Sequence, residues 1–168
     1  NQPYGGVEYP DFAYTGTEAT TAPVFSITGN NAIVDWVLVE IRDSVNPITV
    51  LSRKAALVQR DGDIVDVDGV SPLLFTGTDA GNYYVAIRHR NHLGVMTGTA
   101  VALSPMASIV DFTLSATSNY QLSGVTGSPH AQRTWGSTKR SLWAGNAGVV
   151  SNTEDKVIFQ GSNSDVDE

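Results

Sequence analysis

The stretch AIVDWVLVEIRD, residues 32–43, decides the fold class of this chain. Consecutive side chains of a β-strand point to opposite faces of the sheet, so residues of one parity share a face. Val37 and Val39 share one face here, and Trp36 and Leu38 share the other. A run that is apolar on both faces is typical of a central strand whose sheet is covered on both sides. We therefore predict that this run is a central strand of an all-β protein.

Further strand-like runs follow at a spacing of roughly 8–12 residues, which is typical of β-sandwiches. Turn-forming pairs such as Asp61-Gly62 and Asp68-Gly69 separate them. In chain order the runs are ITVLSRKAALVQ, DIVDVDGV, PLLF, NYYVAIRH, GTAVALSP and ASIVDFTLSA. The pattern predicts a β-sandwich core over residues 30–117.

The segments on either side of the predicted core differ from it in composition. Residues 1–29 are rich in Gly, Pro, Thr and Tyr, and we expect an extended N-terminal arm there, the alternative being a flexible leader. Residues 118–168 are polar and loop-like, and we expect them to pack on the same domain. Within them we predict a short helix around Thr138 to Trp143 and a short strand at KVIFQ.

The overall composition indicates a single secreted domain. A length of 168 residues fits one domain, and the charged share of 16% is below the usual value of about 25%. The formal net charge of -7 argues against a nucleic-acid partner, which requires clustered Lys and Arg. Without cysteine the chain has no disulfide, thiolate zinc site or thiol nucleophile, and no run reaches the ~18 apolar residues of a membrane helix. Because the chain begins at Asn1, we expect either a mature protein that has lost a signal peptide or a fragment.

One sequence pattern resembles the transthyretin-like sandwich modules of bacterial surface proteins, such as carboxypeptidase-regulatory-like and Cna-B-type domains. The shared pattern is a hydrophobic strand, a hairpin with Asp-Gly, and then G-x-Y-x-V-x-V. In this chain it falls on Asp68, Gly69, Leu74, Phe75, Gly81, Tyr83, Val85 and Ile87. The resemblance implies a transthyretin-like or immunoglobulin-like β-sandwich at the bacterial cell surface.

A second resemblance is to a secreted protein family of Gram-negative bacteria that use gliding-associated secretion. It covers WVLVEIRD, LVQRDGDIVDVDG, YYVAIRHRNHLGVMT and LWAG. It implies an Asp- and Asn-rich calcium loop after LWAG. The loop at residues 146–155 lacks the dense aspartates and keeps Asn146, Asn152, Glu154 and Asp155. The run Asp43-Ser44-Val45 resembles the O-glycosylation motif of the same bacteria and implies a glycan on Ser44.

The chain also resembles the subunits of extracellular helical filaments, in which β-sandwich protomers are joined through extended terminal segments. An extended segment can add to the exposed edge of a neighbouring sheet, and a head-to-tail contact that does not close gives a filament. In TTAPVFSITG, strand alternation would place Phe25 and Ile27 on one side as anchors and Val24 on the other. The alternative is that this arm forms the first strand of its own sandwich.

The run NYYVAIRHRNHLGVMT, residues 82–97, has the most unusual composition in the chain. As one regular strand it would point His89 and His92 to opposite faces, so the two would not share a metal, and zinc needs further ligands. Acid–base catalysis by either histidine would need a nucleophile and an orienting carboxylate, and no G-x-S-x-G motif occurs. We predict a structural polar clamp that holds acidic turns or C-terminal loops. Its members are Arg88, His89, Arg90, Asn91 and His92.

The aspartates make calcium the candidate ion. The structural role predicted for the chain requires no cofactor. Carboxylates at alternate positions favour calcium, whereas Asp beside a Gly turn is also common for local backbone bonding. The candidate set is Asp61, Asp63, Asp66 and Asp68. The alternatives are the loop of residues 146–155 and the tail positions Asn163, Asp165 and Asp167.

The aromatic residues suggest one further kind of ligand. Trp36 and Trp143 lie in apolar runs and are expected in the core, whereas Trp135 lies in a polar loop and is the better candidate for glycan stacking. We therefore predict a non-enzymatic structural subunit of an extracellular bacterial filament, assembled head to tail from identical copies. The alternative is a carbohydrate-binding or adhesive module of a larger secreted protein.

Overall fold

The computed structural model describes residues 1–5, 12–106, 108–120 and 132–143. Short 3-10 helices at Ala22–Ser26 and Gly29–Asn31 precede the first strand. The strands are β1 (Ile33–Arg42), β2 (Val50–Gln59), β3 (Ile64–Val65), β4 (Gly81–His89), β5 (His92–Met96), β6 (Val101–Leu103), β7 (Gln132–Trp135) and β8 (Lys139–Leu142). The prediction of an all-β fold is confirmed.

The main sheet is antiparallel, with the strand order β3-β2-β1-β4-β5. β1 pairs with β2 from Ile33 to Arg42 and with β4 from Leu38 to Arg42, so its predicted central position is confirmed. β6 pairs with the first residues of β4, and β5 pairs with the last ones. β7 and β8 form a separate two-stranded sheet.

Both faces of the main sheet are covered, as the apolar pattern of β1 predicts. Residues of the N-terminal segment cover one face, and loop residues together with Leu142 of β8 cover the other. The first core contains Tyr4, Phe12, Tyr14, Val24, Trp36, Leu38, Ala55, Leu57 and Val65. The second contains Val37, Val39, Ile41, Ala56, Val85, Ile87 and Val95, with Leu73, Phe75, Val110, Phe112 and Leu142 packed against it. Because the covering layers are mainly irregular chain in the described residues, a sandwich of two large sheets stays a prediction.

The N-terminal segment, residues 1–29, is fixed to the sheet by polar groups as well as by apolar contacts. The hydroxyl of the fully buried Tyr4 donates to the carbonyl of Trp36 at 2.6 Å. The hydroxyl of Tyr14 accepts the N–H of Ala55 at 3.1 Å. Hydroxyls of buried tyrosines need such partners, because an unpaired buried polar group costs about 1–3 kcal/mol. The arm expected from the sequence therefore lies on the sheet of its own chain in this structure.

The extended conformation expected for TTAPVFSITG is wrong at Ala22–Ser26, which forms a 3-10 helix with Pro23 in its first turn. Proline fixes φ near the helical value, and residues three apart share a face in a 3-10 helix. Val24 and Ile27 therefore pack together against the first core, and Val24 is only 8% exposed. Phe25, expected beside Ile27, is 57% exposed.

Other elements differ from the prediction where turns interrupt the strand pattern. PLLF forms no strand and only an isolated bridge between Val65 and Pro72, and ASIVDFTLSA contributes core residues without forming a strand within its described residues. The helix expected around Thr138 to Trp143 is strand β8, which pairs with β7 across a turn at Gly136. Its positive φ of 61° suits glycine, and the turn lets the two polar strands pair. The strand expected at KVIFQ lies outside the described residues.

Candidate functional site

The polar cluster predicted from NYYVAIRHRNHLGVMT lies at the β4–β5 hairpin. The run is not one strand, because β4 ends at His89 and β5 begins at His92. The two histidines face each other as paired residues of the hairpin, with their Nδ1 atoms 2.9 Å apart. The expectation that strand alternation separates them is therefore wrong. A turn after His89 reverses the chain and brings His92 back beside it.

Asp35 of β1 orients the ring of His89. The Nε2 of His89 lies 3.0 Å from Oδ2 of Asp35, and Nη2 of Arg90 lies 2.6 Å from Oδ1. A carboxylate only accepts hydrogen bonds, so Nε2 of His89 carries the proton and Nδ1 has the lone pair. That lone pair accepts the backbone N–H of Asn91 at 3.0 Å, and it also faces Nδ1 of His92.

This arrangement holds the His89 ring neutral. Burial lowers the pKa of His89 below its usual value, although the hydrogen bond and charge of Asp35 oppose that effect. Burial raises the pKa of Asp35, but the N–H of Trp36 and the charge of Arg90 outweigh it and leave the pKa of Asp35 lowered. The stable combination is therefore an ionised Asp35 and a neutral His89.

A second carboxylate of β1, Glu40, collects the arginines on the opposite face of the sheet. The side chain of Glu40 is fully buried, with Nε of Arg42 and Nε of Arg53 each 2.9 Å from its oxygens. Nη1 of Arg88 lies 3.8 Å from Glu40, and the Arg88 guanidinium stacks over the Phe12 ring at 4.4 Å. Such a cation–π contact links the strand β4 directly to the N-terminal segment.

The members of the predicted clamp thus divide between the two faces of the sheet. Arg88 lies with Glu40, and His89 and Arg90 contact Asp35. The expected acidic turns are not their partners, because both carboxylates belong to β1. The C-terminal part is held nearby through the backbone, where the N–H of Leu93 donates to the carbonyl of Trp143 at 3.0 Å.

The chemistry available to His89 is limited by its contacts. Nε2 of His89 is directed at Asp35, and Nδ1 is directed at Asn91 and His92. General acid–base catalysis needs a ring nitrogen within hydrogen-bond reach of the reacting group. Because Nε2 of His89 is engaged by Asp35 of β1 and Nδ1 by the hairpin, the His89 ring is suited to fixing the turn against β1.

The four aspartates considered for calcium do not come together as a site. Asp66 pairs with Nζ of Lys54 at 2.5 Å, and Asp61 and Asp63 are exposed at the turn before β3. The hydroxyl and backbone N–H of Ser71, with a further backbone N–H from Val70, lower the pKa of Asp68 to about 2.

No group of three or more acidic or histidine side chains able to hold a metal occurs among the described residues. The calcium set predicted at the aspartates is therefore not assembled as one site in this structure. The loop of residues 146–155 and the tail positions Asn163, Asp165 and Asp167 lie outside the described residues.

Two surface positions lie where the sequence places them. Ser44 is exposed in the turn between β1 and β2, whose backbone N–H groups at Val45 and Asn46 are capped by Asp43. Trp135 is 52% exposed, whereas Trp36 is buried in the first core. Glycosylation of Ser44 stays a prediction.

Sequence reasoning missed the residues that anchor the polar clusters. Asp35 and Glu40 interrupt an otherwise apolar strand, and a charge in such a position usually requires a buried partner. That signal could have linked them to the arginines and histidines of β4. Tyr4 and Tyr14 carried a weaker signal, namely large aromatic side chains in a polar, glycine-rich segment.

A comparison with protein-family models, curated proteins and solved structures finds no match to this chain. Among the helices of the described residues, none combines the length and apolar character needed to cross a membrane.

Proposed function

We propose that this chain is a non-enzymatic structural subunit of an extracellular filament, in which the N-terminal segment of each copy covers the sheet of the next copy. The observation that carries the proposal is the composition of the first core. One face of the sheet is completed by Tyr4, Phe12, Tyr14 and Val24, all from a segment outside the main sheet. A separable segment with several buried apolar side chains is the kind of element that copies can exchange.

The connection between the segment and the sheet supports an exchange. Residues 28–31 are exposed, and Gly29 has a positive φ of 79°. Glycine adopts a positive φ at little cost in free energy, so the chain can change direction at Gly29. Side chains of the segment contact apolar side chains of the sheet and also its backbone, at the carbonyl of Trp36 and the N–H of Ala55. A segment from a neighbour would make the same contacts. If each copy gives its segment to the next, the contact is heterologous, and it generates a filament where successive copies do not close into a ring.

The polar clusters support a structural role for the hairpin. Asp35 and Glu40 of β1 pair with His89 and Arg88 of β4, which fixes β4 against β1. Arg88 also stacks over Phe12 of the N-terminal segment. The exposed Phe25 lies beside the buried Val24 and remains available to a neighbouring copy. Val24, Phe25 and Ile27 are therefore the proposed residues of the contact between subunits.

The test combines a deletion with a peptide supplied separately. Negative-stain microscopy of the full chain is expected to show filaments, whereas the chain lacking residues 1–29 forms none. A synthetic peptide of residues 1–29 should restore the thermal stability of the truncated chain but not its filaments, because a free peptide cannot link two subunits.

A peptide with Tyr4→Ser and Tyr14→Ser is the matched control and should not restore stability. Filaments that persist without residues 1–29, or a full chain that remains monomeric at all concentrations and ionic strengths tested, would contradict the proposal.

The exposed Trp135 favours a second candidate function, binding of a glycan. Its Nε1 donates to Oγ of Ser141 at 2.7 Å, which fixes the ring on the surface of the β7–β8 hairpin. An indole held in this way offers a flat apolar surface to a sugar ring. Binding to a glycan array that is lost in Trp135→Ala and retained in Phe25→Ala would support this function.

A further inference from the structure

The outward face of the β7–β8 hairpin is basic and aromatic. The pairing register places Arg133 opposite Ser141 and Trp135 opposite Lys139, so these four side chains share one face. On the other face Gln132 is buried and Leu142 packs against the second core, while Thr134 is exposed. We call the four-residue surface the basic face.

The basic face is held in a defined geometry. The guanidinium of Arg133 stacks over the Trp135 ring at 4.1 Å, while the indole N–H is bonded to Ser141. Neither Arg133 nor Lys139 has an ion pair within 4.0 Å among the described residues. The hydroxyl of Thr113, its N–H and the charge of Lys139 lower the pKa of Asp111, so this carboxylate lies near the basic face. The sequence from residue 112 to residue 153 contains no Asp or Glu. This basic surface belongs to a chain whose net charge is -7.

The edge of the main sheet that β3 forms is acidic. Asp61, Asp63 and Asp68 are exposed on the two turns that flank β3, which we call the aspartate turns. Ion pairs in the described part of the chain involve Asp66 but none of these three. Arg60 is the neighbouring cation, and the turns remain net negative with it included.

These two surfaces lie at opposite edges of one sheet. β3 is the first strand and β5 the last in the order β3-β2-β1-β4-β5. β8 contacts the β5 edge, where Leu93 bonds to the carbonyl of Trp143 just after β8. At about 4.8 Å per strand the two edges are roughly 19 Å apart, with three strands between them. The basic face and the aspartate turns of one copy therefore do not meet each other.

We infer that the basic face of one copy binds the aspartate turns of a second copy of this chain. Arginine suits this contact because its planar guanidinium donates to carboxylates in pairs, and the stack on Trp135 limits its freedom before binding. Because the two surfaces lie at opposite edges, the contact is heterologous and repeats from copy to copy, and it gives a filament where successive copies do not close into a ring. The inference rests on the proposed filament and names the contact that sets the direction of its growth.

The experiment reverses the charges at each edge of the full chain. One variant carries Arg133→Glu with Lys139→Glu, and the other carries Asp61→Lys with Asp63→Lys. Each alone should raise the critical concentration for assembly roughly tenfold or more, because two attractive contacts become repulsive. An equimolar mixture should assemble again near the critical concentration of the unmodified chain. In alternating copies, the acidic surface of the first variant meets the basic turns of the second, and the unchanged surfaces also pair with opposite charge.

Asp79→Lys is the matched control, because it reverses an exposed carboxylate outside the aspartate turns. It should assemble like the unmodified chain, and thermal unfolding should show that all variants remain folded. Assembly that is unchanged by both double substitutions, a mixture that fails to assemble, or an equal loss in Asp79→Lys overturns the contact.

The result also separates this contact from the proposed function. If the unmodified chain assembles through its N-terminal segment and the charge reversals have no effect, only the contact between edges is wrong. If the unmodified chain does not assemble at all, both are wrong.

Discussion

His89 is the residue at which the fold fixes a protonation state. Its Nδ1 faces the N–H of Asn91 and Nδ1 of His92, while Nε2 faces Asp35. A proton on Nδ1 would point at the N–H of Asn91 and be repelled by it. The nearby positive charge of Arg90 also disfavours a protonated ring. The neutral ring is therefore part of the folded hairpin.

We predict that stability falls as the pH falls below about 6.5, the unperturbed pKa of histidine. The pKa of His89 is lowered in the folded state, so the unfolded chain takes up the proton first. The stability that His89 contributes is complete above the unfolded pKa and is lost as the pH decreases toward the folded pKa. Urea unfolding midpoints between pH 5 and pH 8 measure this dependence.

The variant His89→Gln should reduce the slope of stability against pH in that range. The lowered pKa of Asp35 places the titration of that carboxyl at more acidic pH, so it does not account for the slope. His92→Gln, which keeps His89, is the comparison variant. An unchanged slope in His89→Gln would show that another group titrates.

Glu40 is the second residue whose environment gives a clear prediction. It is fully buried and is the shared acceptor of Arg42, Arg53 and Arg88. Glu40→Gln should lower the free energy of unfolding by about 1.5–3 kcal/mol, the value of hydrogen bonds to charged groups. Arg53→Gln should cost less than about 1 kcal/mol, because two arginines remain on Glu40 and Arg53 is partly exposed. Guanidinium unfolding at constant pH measures both, and an equal loss would argue against Glu40 as the centre of the cluster.

At the scale of elements, the short 3-10 helix Ala22–Ser26 decides which side chain of the N-terminal segment enters the core. It turns Val24 onto the sheet, where its Cγ1 lies 2.7 Å from the position that a Cβ at Gly69 would occupy. Gly69 has a positive φ of 78°, so a glycine there permits both the turn and the close approach of Val24. The helix and the turn after β3 are therefore fitted to each other.

Val24→Ala should lower the free energy of unfolding by about 1.5 kcal/mol, at roughly 0.8 kcal/mol for each buried methylene equivalent. Phe25→Ala should change it by less than about 0.5 kcal/mol, because that side chain is largely exposed. Urea unfolding of the two variants at low protein concentration makes the comparison. If Phe25→Ala lowers the free energy of unfolding more than Val24→Ala does, the result favours the extended conformation predicted from the sequence for this segment.

For the whole molecule, the main consequence of the fold is that the N-terminal segment forms one of its layers. Trp36 is buried beneath that layer, and its carbonyl accepts the hydroxyl of Tyr4. Removing residues 1–29 should expose Trp36 to water and shift its fluorescence to longer wavelength. The measurement uses a background of Trp135→Phe and Trp143→Phe, which leaves Trp36 as the remaining one of the 3 tryptophans.

The peptide of residues 1–29 should reverse this shift in proportion to its binding. A peptide carrying Tyr4→Ser and Tyr14→Ser should not reverse it. Emission that is the same with and without the segment would show that the layer does not cover Trp36 in solution.

The sequence by itself determined the all-β class, the central position of β1 and the exposure of Trp135. These follow from local patterns, because alternation and apolar runs report which faces of a strand are buried. The cluster at residues 88–92 was also visible as an unusual composition. The partners of this cluster, Asp35 and Glu40, were not visible in the sequence. They lie some fifty residues earlier in the chain and meet the cluster only through the pairing of β1 with β4.

The tertiary structure alone decided the position of the N-terminal segment and the pairing of His89 with His92. A turn at Arg90 and Asn91 converts one apparent strand into a hairpin, and that reversal changes which side chains are neighbours. Proline and the packing of Val24 select a 3-10 helix where the residue pattern equally fits an extended strand. The free energy that separates these alternatives comes from contacts between distant parts of the chain, and a local sequence pattern does not contain them.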